Sequence, residues 1–496
     1  MRRLQSRLPS LIIFSFALYK TTETLLQTSV RLQVYHLVCK WLTNNSIRDS
    51  LCSPMKNLQD WTNISDTPTA VLALTELDNR IQRTSVPYIV TYRVLLNLPA
   101  MVTCLVLGTL SDTHGRKTTF LAPIVGGALA CCLFGVSLVP ELLPVPDGIS
   151  CLLIGALVYG LSGKSNSFGM GANSYITDCS SDEKRTVYIS HLMGANFIGL
   201  CIGSALLSFF LFFTDFGWIL LFVCLTNLVI FTLILVFVQE SVVVQSDVGD
   251  YGATVYTGTN WETVTEAENY KSPRFFQMIY FAFITSYKFL VTKRPNHAHV
   301  YLRCLFGAVL FNQITKAGEQ DAIMLYVTRN QVGWSDMLYG AYIATYYAAM
   351  AFHLMVILPL ASSCFHPSDT SIILYGLFMK IGRLIATAVS PNTYVLFVSA
   401  VLGSSAGYIT TGIRSLISKL VNEDEVGTGF AFMSVLETFS NLFGSLLFTS
   451  VYAGTLTVYP GLVFLMDALL HGCLFFVMIW LSVRLRAHFA VTNNAP

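Results

Sequence analysis

The chain has 496 residues, of which 54% are hydrophobic and only 12% charged. Soluble domains carry about 25% charged residues, so an ordinary soluble globule is excluded and a membrane protein is indicated. A net charge of +2 without a long basic block offers nothing to nucleic acid, and no Cys-x-x-Cys pair or histidine cluster suggests a metal.

A membrane-crossing helix needs about 20 mostly apolar residues. The first such stretch runs from Leu11 to Leu32. It lacks a small-residue cleavage site, and Lys20 and Glu23 interrupt it, so it is expected to remain as an uncleaved first crossing. A polar loop over 33–83 follows. Asn44 and Asn63 both sit in glycosylation sequons, which would place this loop outside the cell or in a lumen. Cys39 and Cys52 lie at or in it and can pair. The second to fifth crossings are Val86–Leu110, Thr118–Val139, Cys151–Ile176 and Val187–Phe213, and the sixth ends near Gln239. Lys164-Ser-Asn-Ser167 makes a polar break inside the fourth.

Residues 240–298 read as a solvated linker, with Phe275–Val291 as a helix lying on the membrane surface. The second half repeats the count with Tyr301–Val327, Met337–Leu360, Ser371–Val389, Thr393–Ile417, Phe430–Ala453 and Gly461–Val483. Arg2, Arg3, Arg7, Arg116, Lys117, Lys184, Arg185, Lys271, Arg274, Arg484 and Arg486 fall on one side, whereas loops 141–149, 214–217, 390–392 and 454–460 carry no Lys or Arg. The basic side is expected to be cytoplasmic, with both termini there. The expected units are therefore a bundle over 1–239, a linker over 240–298, a second bundle over 299–487 and a tail over 488–496.

The turn between the second and third crossings is Gly108-Thr-Leu-Ser-Asp112-Thr-His-Gly115-Arg116-Lys117. It resembles the loop between helices 2 and 3 of the major facilitator superfamily of transporters. Other stretches resemble the proton-coupled folate transporter family: Tyr175-Ile-Thr-Asp178 with Lys184-Arg185-Thr186, Gly318-Glu-Gln-Asp321 with Trp334-Ser-Asp336, and Ile413-Arg414 through Val421. The resemblance covers nearly the whole chain. It implies an all-α membrane protein of about twelve transmembrane helices in two six-helix bundles. It also implies roles for Asp112, Arg116, Asp178, Asp321 and Arg414. The sequence departs from the family at Met193, where the coupling acid would stand, at Lys316, which matches a histidine, and at Gly333, which replaces a cysteine.

Physically, Asp112 can cap a helix N-terminus from the other half, and Arg116 can bridge to Asp178. With Gly115 they form an expected cytoplasmic gate. Charges within a membrane cost about 2.5–3.5 kcal/mol each on insertion scales and face a cavity or a partner. Lys20 and Glu23 share a helical face, as do Lys316 and Glu319. Each pair is either a silent ion pair or part of a substrate and coupling site with Lys164, Asp321 and Arg414. Arg414 has Glu437 as a rival structural partner. Asp321, Glu437 and Asp467 are candidate protonation sites, Asp467 with His471 four residues on. Tyr339, Tyr342 and Tyr346 form a stripe that is either packing or a wall for a flat ligand. The expectation is a secondary transporter of a small organic anion, folate-like and proton-coupled, or else a facilitative carrier or a non-transporting receptor. It sits in a plasma or lysosome-like membrane, needs no cofactor, and shows no enzyme motif.

Overall fold

The computed structural model describes residues 8–42, 68–137, 145–213, 216–240, 254–256, 261–263, 275–294, 298–328, 334, 336–422, 425–455, 459 and 461–493. The first half comprises α1 (Leu8–Leu42), α2 (Pro68–His114), α3 (Lys117–Val136), α4 (Val145–Leu161), α5 (Lys164–Cys179), α6 (Asp182–Phe213) and α7 (Phe216–Phe237). A two-stranded hairpin (β1, Thr254–Tyr256; β2, Trp261–Thr263) and α8 (Phe275–Val291) follow. The second half comprises α9 (Ala298–Thr328), α10 (Asp336–Phe352), α11 (Leu358–Phe365), α12 (Asp369–Val389), α13 (Thr393–Gly403), α14 (Gly407–Leu420), α15 (Val426–Thr455) and α16 (Leu462–Asn493). The pairs α4–α5, α10–α11 and α13–α14 each form one broken crossing, giving two sets of six.

Among the described residues, nine helical segments are long and apolar enough to cross a membrane. The remaining long helices, α1, α9 and α15, carry Lys20, Glu23, Lys316, Glu319 and Glu437 within their length. Outward faces are apolar, with Leu228, Val236, Leu469 and Phe476 all exposed. That suits a hydrocarbon solvent, in which each helix satisfies its own backbone.

Two expectations about element bounds are corrected. The stretch 33–83 is helical at both ends, because α1 continues to Leu42 and α2 begins at Pro68. A helix satisfies its own hydrogen bonds and can run on into water, so hydropathy marks the membrane and not the helix end. Asn44, Asn63 and Cys52 lie outside the described residues; Cys39 is disulfide-bonded. The solvated linker, in which the sequence indicated one helix, also holds the hairpin.

The breaks have local causes. Gly163 (φ +83°) and Lys164 (φ +40°) take left-handed conformations between α4 and α5, which glycine adopts without steric cost. Between α10 and α11 the chain makes a π turn, His353–Ile357, just before Pro359, which has no N–H to continue the ladder. A 3₁₀ turn, Ser404–Ala406, separates α13 from α14. These last two breaks face each other, with Ser404 Oγ 2.9 Å from His353 Nδ1.

The halves meet where α2 and α5 pack on α15 and where α6 packs on α10 and α14. α8 spans the same seam, touching α2, α9 and α15. Phe289 is its buried anchor, while Tyr280 and Tyr287 are exposed. Arg294, just past its end, donates to the Phe289 carbonyl (3.2 Å) and pairs with Glu425 (2.8 Å).

Candidate functional site

At the α2–α3 turn, Arg116 is buried and reaches three groups. Its Nη1 lies 2.5 Å from Asp112 Oδ1 and donates to Ser111 Oγ at 3.0 Å, and its Nε donates to Asp178 Oδ2 at 3.0 Å. Burial works against this charge, but Asp112 and Asp178 outweigh it and raise the arginine's pKa above its ordinary value. Asp112 in turn accepts from the backbone N–H groups of Gly427 and Thr428, each at 2.8 Å, and from Thr428 Oγ1 at 3.0 Å. A carboxylate of the first half thus caps the N-terminus of α15 in the second. A Cβ at Gly427 would overlap the Asp112 carboxylate and the Arg116 guanidinium. Gly115 (φ +100°) packs against Glu240, which accepts from the Arg116 and Lys117 N–H groups and caps α3.

A second link lies at the same end. Asp369, at the start of α12, accepts from Thr186 Oγ1 of α6 (2.6 Å), Ser415 Oγ (3.1 Å) and Lys419 Nζ (2.7 Å). Arg185 donates to the Ser418 carbonyl at 3.2 Å. Two carboxylates, one from each half, therefore tie the halves together at the motif end.

Beyond these links lies a cavity of about 220 Å³ between the halves, lined by Lys20, Asn166, Met193, Lys316, Arg414 and Glu437 among others. Lys20 is held by Glu23 (2.8 Å) and Ser165 (3.0 Å), and Arg414 by Glu437 (2.5 Å), which also accepts from Gln313 (3.0 Å). Lys316 makes no ion pair among the described residues; its Nζ sits over the Phe197 ring, 5.2 Å from the centroid. Asn166 bonds Thr438 across the seam.

A smaller side pocket of about 60 Å³ opens from this cavity within the second half, sharing Phe197, Lys316, Gly407 and Thr410. Tyr342, Tyr346 and Tyr347 of α10 form one wall, and Lys380 and Arg383 of α12 another. Glu319 pairs with Arg383 and, at 3.7 Å, with Lys380. The Arg383 guanidinium stacks over Tyr346 at 5.0 Å.

The structure brings Asp112, Gly115, Arg116 and Asp178 into one cluster, and Lys20, Lys316 and Arg414 into one cavity. Two expectations, for Glu319 and Lys164, are corrected. Glu319 does not pair with Lys316, because two α12 cations offer it a stronger site. Lys164 lies outside the cavity lining and donates to Asn97 Oδ1 at 2.6 Å. Arg414 meets its rival partner, Glu437. Glu23 is buried behind Lys20 and also accepts from Gln27 (3.0 Å). Asp321 lies on α9, but its side chain is outside the described set. Asp467 and His471 are fully buried, 2.9 Å apart. Sequence reasoning missed Lys380 and Arg383. Their signal was available, as two cations three residues apart inside an apolar crossing.

Two six-helix sets around a polar cavity between them, tied at one end by residues a rocking motion must separate, define a membrane transporter of the alternating-access kind. The family model described as Major Facilitator Superfamily matches residues 69–445, and the chain belongs to that superfamily. It is similar to the "Lysosomal proton-coupled steroid conjugate and bile acid symporter SLC46A3" of Gallus gallus, at 24% identity over 77% of each chain. The Homo sapiens protein of the same name is 26% identical over 75% of this chain and 74% of its own. The "Proton-coupled folate transporter" of Rattus norvegicus is 29% identical over 45% of this chain and 46% of its own. Among solved structures, the human organic anion transporter MFSD10 superposes with a TM-score of 0.67 at 15% identity, covering 96% of this chain and 99% of that one. The chain is thus a multi-pass secondary transporter and not an enzyme.

Proposed function

We propose that this transporter carries a small organic anion, driven by a proton gradient, between an acidic outer or luminal compartment and the cytosol. The observation that carries this reading is Lys316. It faces the cavity between the halves without a carboxylate partner among the described residues, while Lys20 and Arg414 stand beside it already neutralised. An unbalanced charge within a membrane calls for a counterion, and an anionic cargo supplies one.

In this reading the motif end faces the cytosol, as the basic loops suggest, and the Asp112 and Asp369 links hold the cytosolic side shut. Release of cargo requires both to break. Glu437, which lines the cavity, and Asp467 beside His471 are the carboxylates we propose for proton movement. The named activities of the similar proteins guide the choice of cargo: steroid conjugates and bile acids first, folates second. The reading also covers either a plasma-membrane or a lysosomal site. The test is uptake of labelled steroid sulfates, bile acids and folates into vesicles containing the protein, at acidic and neutral outer pH. Uptake of an anion that rises with outer acidity is expected. Equal uptake at both would reduce the protein to a facilitative carrier, and no uptake of any anion would favour a receptor role.

A further inference from the structure

The side pocket on α9, α10 and α12 contains more positive charge than its described side chains neutralise. Lys316, Lys380 and Arg383 carry three cations, and Glu319 is the one carboxylate among the described side chains lining it. Arg383 and Tyr342 are also incompletely satisfied. Arg383 is 4% exposed, its Nη2 is taken by Glu319, and its Nε has no acceptor. Tyr342 is 2% exposed; its hydroxyl faces the Arg383 guanidinium but makes no well-formed hydrogen bond. A phenol oxygen turned toward a guanidinium points its proton elsewhere. Buried donors without acceptors are rare, and each calls for an explanation. Here two of them line one pocket beside an excess of cations.

We infer that this side pocket seats the oxyanion of the cargo, a carboxylate or a sulfate ester. Arg383 Nε and Tyr342 Oη donate to it, and Lys380 and Lys316 neutralise it. The inference rests on the organic-anion reading and adds to it where the charge goes and what shape the cargo has. The pocket, at about 60 Å³, has room for a head group, whereas the adjoining cavity, at about 220 Å³, has room for a body. Phe197, under Lys316, lines both spaces, and Tyr346, under the guanidinium, lines the side pocket. The cargo that fits is a rigid apolar ring system with one terminal oxyanion, lying across both spaces. Arg414 then contacts the body and not the charge.

The test is binding of pyrenesulfonate, pyrenecarboxylate and uncharged pyrenemethanol to the full-length protein in nanodiscs, read by fluorescence polarisation. The unaltered protein is expected to prefer the anions, and the sulfonate–carboxylate comparison tells the two head groups apart. Tyr342→Phe removes one donor that holds nothing in the fold and should weaken both anions by roughly tenfold while sparing pyrenemethanol. Arg383→Gln should weaken the anions by roughly a hundredfold. It also strips Glu319 of one partner, so retained pyrenemethanol binding serves as its folding control. An anion preference that survives both variants but vanishes in Lys316→Gln would put the charge in the central cavity. That result overturns the side-pocket seat and leaves organic-anion transport standing. Equal binding of charged and uncharged probes by the unaltered protein overturns both.

Discussion

Arg414 and Lys316 face the same cavity, yet their neighbours give them opposite characters. Arg414 is closed off by Glu437 at 2.5 Å, so removing Arg414 strands the half-buried Glu437 carboxylate, at a cost below the figure of about 3–5 kcal/mol for a fully buried pair. Arg414→Gln is therefore expected to lower thermal stability in detergent, and Arg414→Gln with Glu437→Gln to recover most of the loss. If the double variant is as unstable as the single one, the pair is not what holds Arg414. Lys316 holds no carboxylate among the described residues, so Lys316→Gln should leave stability nearly unchanged and reduce anion uptake by at least about tenfold, the scale of one lost charge-assisted hydrogen bond. Normal uptake in that variant would show that the cargo does not contact it. At this scale the sequence was half legible. Spacing of three residues lets Lys20 meet Glu23 and equally lets Lys316 meet Glu319, but only the first pair forms. The difference is Arg383 and Lys380, brought beside Glu319 by packing of α12, which no spacing within α9 reveals.

The elements that matter most for movement are the ends of α2, α12 and α15. Asp112 caps α15 through two backbone N–H groups and a hydroxyl, contacts that hold only while the halves are closed at that end. Asp112→Asn removes the charge that favours the helix N-terminus, a term of about 0.3–1 kcal/mol at surface sites and up to about 2 kcal/mol in partly buried ones. It also leaves an amide beside Arg116. The motif end should open more often. Maleimide labelling of Asn173→Cys from that side, with the exposed native cysteines replaced, is expected to speed up several-fold in the Asp112→Asn background. Gly427→Val should act in the same direction, because its Cβ has no room beside the carboxylate. Labelling rates unchanged in both would mean the link does not set the closed state. The Asp112, Gly115 and Arg116 part of the cluster was legible because these residues are adjacent in the chain and specific in type, whereas Asp178, 62 residues on, was legible through its own segment's resemblance. The Thr186–Asp369 link was not, since a threonine and an aspartate on separate crossings carry no local pattern. The π turn before Pro359 was signalled only by the proline.

At the scale of the whole molecule, the two-times-six plan followed from hydropathy and charge bias, because a membrane leaves helices few alternatives. Two crossings, α1 and α9, have their apolar runs interrupted by paired charges, Lys20 with Glu23 and Lys316 with Glu319. Lys20 and Lys316 line the cavity, but so does Arg414 on α14, and Lys380 and Arg383 on α12 line the side pocket. Charges inside an apolar run, and not weak hydropathy, therefore mark the functional helices. What hydropathy cannot express is how far helices run past the membrane, hence the misjudged ends of α1 and α2. The two halves are joined through carboxylates at one end and a polar bridge, Asn166 to Thr438, near the middle. A cycle in which these contacts break while cargo stays bound predicts carrier kinetics. The most direct measurement is counterflow in proteoliposomes. Vesicles loaded with an unlabelled steroid sulfate are exposed to a trace of the labelled compound. The label should overshoot its equilibrium level and then decay, and Lys316→Gln should abolish the overshoot. A monotonic rise to equilibrium, or an overshoot untouched by Lys316→Gln, would contradict an alternating-access carrier that holds its anion in this cavity.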